Sequence, residues 1–456
     1  MYDDQQPAQP TVHAATMKGQ WQPLLTGALR DRAFTTVQTI AEALNAPAQT
    51  TLPAGLAADI HGAAAAASLS NGAAGLALFF NYLGEAQREA ATQHQALHWL
   101  EQAMEGVAAS PMGPALHGGF TGVGWSVAHL THRLFAPGDD DPSATFDDFL
   151  CGYVQQSPWH SDYDLISGLV GFGVYALERL PNPSAVTCLE QIVARLEELA
   201  ITNDQGVTWL TPPHLLPAWQ RRHCPAGYYN LGLAHGIPGI IAFLGNVYDA
   251  DIVRTSTRRL LTGAVHWLLA QQMETETGLN FPNWVAPGYE TQAARQAWCY
   301  GEPGIAAALL RAAHALQEPQ WAGTALTIAR RSTSRPPTRT GVLDACLCHG
   351  AAGLGHLYNR IYQVTGDNII GDAARYWLET ALALRQPGQG VAGYLTWEPE
   401  EEGADPWVAH TGMLTGAAGV GLALLAATTA IEPSWDRTLL LAIPPCTQLL
   451  NTYTTD

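Results

Sequence analysis

The sequence predicts an all-α protein folded as an α/α toroid, a double-layered helical barrel of seven helical-hairpin repeats. Three observations carry this. A Gly-x-x-Gly pair occurs seven times; each pair leads into an apolar run; and amphipathic segments lie between the runs. No long stretch of period-two alternation recurs, so no extended sheet is expected.

The pairs are Gly72/Gly75, Gly119/Gly122, Gly168/Gly171, Gly236/Gly239, Gly301/Gly304, Gly350/Gly353 and Gly416/Gly419. Successive first glycines are 47, 49, 68, 65, 49 and 66 residues apart. Each interval has room for two helices of ordinary length and their loops. One helix of each unit is amphipathic: VTCLEQIVARLEELA places Leu189, Ile192, Val193, Leu196 and Leu199 on one face, with charge opposite. The other starts at the glycines and is apolar all round, so it belongs inside the barrel. Small residues at its start allow a sharp turn and close backbone approach. Seven units without obvious capping repeats favour a closed ring over an open solenoid.

Residues 56–456 are assigned to the toroid. Residues 1–55 form an N-terminal extension, expected to be helical and packed on it. The long intervals hold Pro-, Gly- and Trp-rich excursions, each ending just before a glycine pair. They should gather at one end of the ring, some as short strands. TGMLTGAAGVGLALLAATTAI raises the question of a membrane span. Its glycines, threonines and lack of basic flanks fit a helix buried inside a large fold better. No transmembrane segment is expected, and peripheral association with a membrane stays compatible with the sequence.

The net charge of −18, from 22 basic and 40 acidic residues, argues against a nucleic-acid partner, which would demand a phosphate-tracking basic face. The start of the chain, MYDDQQPAQPTVHAATMKGQ, is acidic and has no apolar core, unlike a secretory signal. Seven cysteines, an odd number, then read as reduced thiols of a cytoplasmic protein. The acidic stretch EPEEEGAD reads as a solvated turn.

Aligning the units on their first glycine exposes a candidate site. Two residues before it stand Cys299 in unit five and Cys348 in unit six; one residue before it stand Tyr300 and His349. In a ring these units are neighbours, so Cys299, Cys348 and His349 can meet. Three such ligands with one open position suit a catalytic Zn²⁺. Cys346 is assigned to the core. His235, one residue before Gly236, is a candidate proton shuttle. Asp164 either orients that histidine or caps the helix beginning near Ser167. Arg295, four residues before Cys299, can face the same mouth. His117, two residues before Gly119, is left outside the catalytic set.

RQAWCYGEPG, CHGAAG, LGLAHGIPG and the seven glycine pairs resemble the lanthionine synthetase C-like family, the lanthipeptide cyclases, from about residue 60 to about 430. The resemblance implies an α/α toroid with zinc at its open end, held by Cys299, Cys348 and His349. It places the catalytic histidine and aspartate on His235 and Asp164, and the arginine and tyrosine beside the first ligand on Arg295 and Tyr300. Some bacterial members carry a small inserted domain in the early repeats; no clear insert is read here, because the early spacings are short. The implied reaction adds cysteine thiols of a dehydrated precursor peptide to dehydroalanine or dehydrobutyrine, closing (methyl)lanthionine thioether rings. A separate dehydratase would supply that substrate. Two other readings stay open: addition of glutathione to dehydroamino acids, and a non-catalytic scaffold that binds peptide for a dehydratase.

Overall fold

The computed structural model describes residues 21–45, 60–135, 141–275, 278–398 and 405–452. Most of the acidic stretch near residue 400 and much of the expected N-terminal extension lie outside these residues. In chain order the helices are α1 Gly27–Leu44, α2 Ile60–Ala67, α3 Ala73–Gln87, α4 Ala90–Ala109, α5 Phe120–Leu134, α6 Ala144–Val154, α7 Leu169–Glu178, α8 Pro183–Leu199, α9 Ala218–His223, α10 Ile237–Asp249, α11 Arg254–Leu269, α12 Glu302–Leu316, α13 Pro319–Thr333, α14 Ala351–Thr365, α15 Asn368–Ala383, α16 Ala417–Thr428 and α17 Thr447–Thr452.

Seven of these, α3, α5, α7, α10, α12, α14 and α16, begin at the first glycine of a pair. Each packs on the next, and α16 packs back on α3, so the inner layer closes. These helices are apolar on every side because they have neighbours on every side. In α16 all twelve residues are buried, between α1, α3 and α14. That accounts for the apolar stretch near the C-terminus, and no described helix is long and apolar enough to cross a membrane.

Outer helices α4, α6, α8, α11, α13 and α15 each lie against the inner helix before them. Their amphipathic faces are used as the periodicity requires: Leu189, Ile192, Val193 and Leu196 of α8 are buried and Leu199 is half-buried. The seventh outer position, beside α16, is taken by α1 from the other end of the chain. The amides of Leu24 and Leu25 both donate to the Ala427 carbonyl, and the Trp21 indole donates to Ala426 at 2.7 Å.

The glycine pairs have a packing cause. A Cβ on the second glycine would lie 1.8–2.8 Å from the carbonyl oxygen three residues before the first, as at Gly122 against Leu116 and Gly353 against Leu347. At several of them it would also press on a side chain of the preceding unit, as with Leu69 at 2.8 Å from Gly122 and Leu347 at 2.9 Å from Gly419. Among the first glycines only Gly301, at φ +92°, needs the left-handed backbone region as well. Gly353→Ala is therefore expected to cost about 3 kcal/mol or more, because backbone must move. Gly366→Ala, with open space around its Cβ and φ +72°, should cost only about 1–2 kcal/mol of backbone strain. Paired chemical-unfolding curves check the contrast.

Backbone hydrogen bonds between units complete a circuit. The amide two residues before the first glycine donates to the carbonyl at the same position of the next unit: Ser70 to His117 (2.9 Å), His117 to Ile166 (3.3 Å), Ala234 to Cys299 (3.4 Å), Cys299 to Cys348 (3.3 Å), Cys348 to Leu414 (2.9 Å) and Leu414 to Ser70 (2.8 Å). Unit three departs by one residue, with Leu165 rather than Ile166 donating to Ala234 at 3.1 Å.

The two ends of the barrel differ. At the C-terminal ends of the inner helices, the 3₁₀ turn Ser434–Leu439 closes the barrel. Its buried Asp436 accepts from His356 (2.9 Å) and from Arg360 (3.0 and 2.8 Å), both on α14, while Arg437 pairs with Glu178 of α7. The indole of Trp298 donates to Leu439 from the opposite side, at 2.9 Å. At the other end, the excursions before the glycine pairs form short antiparallel ribbons: Ile201–Asn203 with Gly206–Thr208, Tyr229–Asn230 with Trp284–Val285, Met273–Thr275 with Gly278–Asn280, and Thr396–Trp397 with Trp407–Val408. This is the open end.

Candidate active site

The inter-unit circuit decides which side chains meet at the open end. Because the Cys299 amide bonds to the Cys348 carbonyl, the two cysteines stand side by side, and their thiols influence each other's titration. The neighbouring Cys348 side chain holds the Cys299 thiol down to about 6 against its burial, helped by the Arg295 guanidinium. The Cys299 side chain, with burial, pushes the Cys348 thiol up. Arg295 Nη2 lies 3.9 Å from Cys299 Sγ. The Arg295 cation beside the pair favours a thiolate there.

His349 follows Cys348 and turns Nε2 toward Asp344 Oδ2 at 3.3 Å. Asp344 is fully buried. Its Oδ1 accepts the Cys346 amide and its Oδ2 the Trp397 amide, each at 2.9 Å. Burial works against its charge, but His349 and these amides outweigh it and hold the carboxyl below its usual range. At that separation Nε2 makes an ion-pair contact with Asp344 but no well-aligned hydrogen bond; a ligand on Nδ1 would leave Nε2 facing the carboxylate.

Among the described residues, Asp344, Cys346 and His349 are the one donor group whose ligand atoms all lie within 4.8 Å of one another; those of Cys299, Cys348 and His349 are not drawn together so closely. Cys346, assigned to the core from sequence, is buried and belongs to this cluster. Burial and then Asp344 push its thiol well up, so it stays protonated. Asp344 already accepts two amides. By donor chemistry, Cys299, Cys348 and His349 are the better set for a soft cation, with Asp344 as the buried carboxylate behind the histidine. Asp344 was not singled out from sequence, although it stands six residues before its first glycine, as Arg295 does before Gly301.

His235 and Asp164 are brought together by the departure at unit three. The Leu165–Ala234 bond joins their immediate neighbours, and His235 Nδ1 lies 2.7 Å from Asp164 Oδ2. Asp164 Oδ1 accepts the Ser167 amide at 2.7 Å, so the carboxylate both caps the turn and holds the histidine. The His235 side chain is 41% exposed. Its recessed position opposes protonation, but Asp164 outweighs that and holds the imidazole above its ordinary range.

Tyr300 stacks near His235, ring centroids 6.2 Å apart. Its hydroxyl accepts from Asn230 Nδ2 at 3.0 Å, and burial pushes the phenol up, so it stays protonated. Asn230 also went unnoticed in the sequence; its Oδ1 fixes the loop by accepting the Gly232 amide at 2.8 Å. His117 shares the circuit position of the two cysteines but is buried beside Trp298, centroids 6.1 Å apart. Burial pushes it down to about 4.

A closed ring of seven inner helices whose inter-unit loops assemble two thiols, an imidazole and a histidine–aspartate pair defines a recognisable class. The model of the lanthionine synthetase C-like protein family matches residues 64–440, and the chain belongs to that family. It is similar to the nisin biosynthesis protein NisC of Lactococcus lactis subsp. lactis, 24% identical over 264 residues, which span 53% of this chain and 60% of that protein. The solved structure of nisin cyclase has the same fold, with a TM-score of 0.70 at 19% identity, covering 92% of this chain and 99% of that one.

Proposed function

We propose that the protein is a zinc-dependent lanthipeptide cyclase, adding cysteine thiols of a dehydrated precursor peptide to dehydroalanine or dehydrobutyrine. The observation that carries the reading is the pairing of Cys299 with Cys348 beside Arg295, within one open end that also holds the His235–Asp164 pair. Family membership and the nisin cyclase fold support it.

Cys299, Cys348 and His349 would hold Zn²⁺, which when bound favours the thiolate of a substrate cysteine at neutral pH. Arg295 keeps a fixed positive charge over the sulfur pair and can orient the incoming thiolate. As sulfur attacks the β-carbon, the alkene electrons move toward the amide oxygen, where a developing oxyanion needs a donor. The protonated Tyr300 hydroxyl, its acceptor side occupied by Asn230, is a donor of that kind. The α-carbon must then gain a proton. His235 can deliver it from Nε2, because Asp164 occupies Nδ1 and favours the imidazolium. The thiol proton lost at the start balances the proton gained, so the ring closes without another reactant.

His235→Ala is the test. It should retain its zinc and lower ring closure by about 10²–10⁴-fold, the usual worth of a positioned acid or base. Mass spectrometry with thiol alkylation counts closed rings, and full activity in the variant would remove His235 from the mechanism. Glutathione addition is separated by offering a cysteine-free dehydrated peptide with and without glutathione. A scaffold would give no turnover with either peptide.

A further inference from the structure

The mouth carries an aromatic cluster that the proposed chemistry does not use. Helix α9, in the excursion between α8 and α10, sets Trp219 edge-on to Trp284 at 6.2 Å and His223 edge-on to Tyr289 at 6.5 Å. Trp284 stacks on Tyr228 at 5.4 Å. Beneath them lies a separate small core of Leu216, Cys224 and Tyr228. The cluster leads into the site, since Asn230 Nδ2 reaches the Tyr228 hydroxyl at 3.5 Å and the Tyr300 hydroxyl at 3.0 Å.

Trp219 is 51% exposed. Among the described tryptophans only Trp219 and Trp407 are exposed, and both stand in excursions at the open end. The exposed indole is not isolated but continues the Trp284–Tyr228–Tyr289 cluster, and tryptophan and arginine are the residues enriched at contact hot spots. Beside Trp219 on α9 are Arg221 and Arg222, both exposed; Arg221 Nη2 donates to the Leu216 carbonyl at 3.1 Å, and neither is in an ion pair with a described residue. In a chain of net charge −18, two adjacent arginines with no described carboxylate on them are a local reversal of sign, and their field favours an acidic partner.

We infer that Trp219, Arg221 and Arg222 form a docking lip for an acidic, apolar-containing segment of a peptide whose reactive residues lie in the adjoining site. The indole takes an apolar side chain; the arginines pair with carboxylates one to three residues away. The cluster is anchored to the site through Asn230, so a docked segment would feed the remainder of the peptide toward Tyr300 and His235. This rests on the cyclase reading for the identity of the peptide, but binding can be measured without catalysis.

The test uses the full chain and two fluorescein-labelled synthetic 20-residue peptides with the same leucines and phenylalanine, one rich in glutamate and the other with lysine at those positions. By fluorescence anisotropy the glutamate peptide should bind at least about tenfold more tightly, although the whole protein is acidic. Binding should weaken with salt and fall at least about tenfold in an Arg221→Ser, Arg222→Ser double variant. Trp219→Ala should weaken it and Trp219→Phe restore it, with zinc content and unfolding midpoint unchanged in all of these. Equal binding of both peptides, or binding indifferent to the three positions, overturns the inference. So does a preference for anionic phospholipid vesicles that the same variants abolish, which would make the lip a membrane contact. Peptide binding as expected from a protein that closes no ring would sink the cyclase reading and leave the lip standing.

Discussion

Cys348→Ala is expected to abolish zinc binding and ring closure together. The wild type should carry about one zinc per chain and the variant almost none, with ring closure down by at least about 10³-fold, as expected when the group that activates a nucleophile is removed. Metal analysis beside circular dichroism separates this from unfolding, since Cys348 is half-buried at a loop. The informative partner is Cys346→Ala. That thiol is buried behind the site and held protonated, so its loss should leave the zinc in place. Zinc lost from Cys346→Ala and kept in Cys348→Ala would instead assign the metal to Asp344, Cys346 and His349.

Asp436→Ala should be the most damaging single change to stability away from the mouth. It strips one of two carboxylates from Arg360, which is 4% exposed and keeps Glu432 at 2.6 Å, and the carboxylate from His356, which is 1% exposed. Breaking a buried pair outright typically costs about 3–5 kcal/mol; with Glu432 still on Arg360 the loss should fall at or below the low end of that range. Burial alone would raise the Asp436 pKa, but Arg360 and then His356 outweigh it and hold it low. A depressed carboxyl contributes stability above its unfolded pKa of about 4, and that contribution is lost as pH falls through the lower folded value. Urea unfolding at pH 7 and at pH 3 should therefore show a smaller difference between wild type and variant in acid. An equal difference at both values would mean that the carboxylate's charge is not what holds the 3₁₀ turn in place.

The architecture was legible because its cause repeats. Each glycine pair answers the same steric demand, a carbonyl too close for a Cβ, so the pattern recurs wherever the loop does. Phase along the repeat also brought Cys299, Cys348, His349 and His235 to notice, since a shared backbone position marks them. Asp344 and Asn230 escaped because they act by accepting loop amides, and aspartate or asparagine before a turn is too common to stand out. The pairing of α1 with α16 was equally hidden. Nothing local in GALRDRAFTTVQTIAEAL says which distant helix it covers; that is settled only by the last unit's lack of an outer helix of its own. Pairing across the chain ends is a property of closure and leaves no periodic trace.

The circuit of inter-unit amides has a consequence for how such a protein can change. An open array can lose or gain a terminal unit and keep its neighbours' contacts. Here every unit donates to the next and accepts from the one before, with Leu414 returning to Ser70. Deleting a unit would orphan an amide and a carbonyl at the centre and would also alter the curvature on which the Cys299–Cys348 contact depends. The number seven is therefore locked in a way that loop length is not. The excursions before Gly236, Gly301 and Gly416 hang outside the circuit, where insertions leave it intact. Such a lineage would be expected to diversify by rewriting its lips while the count of helices stays constant.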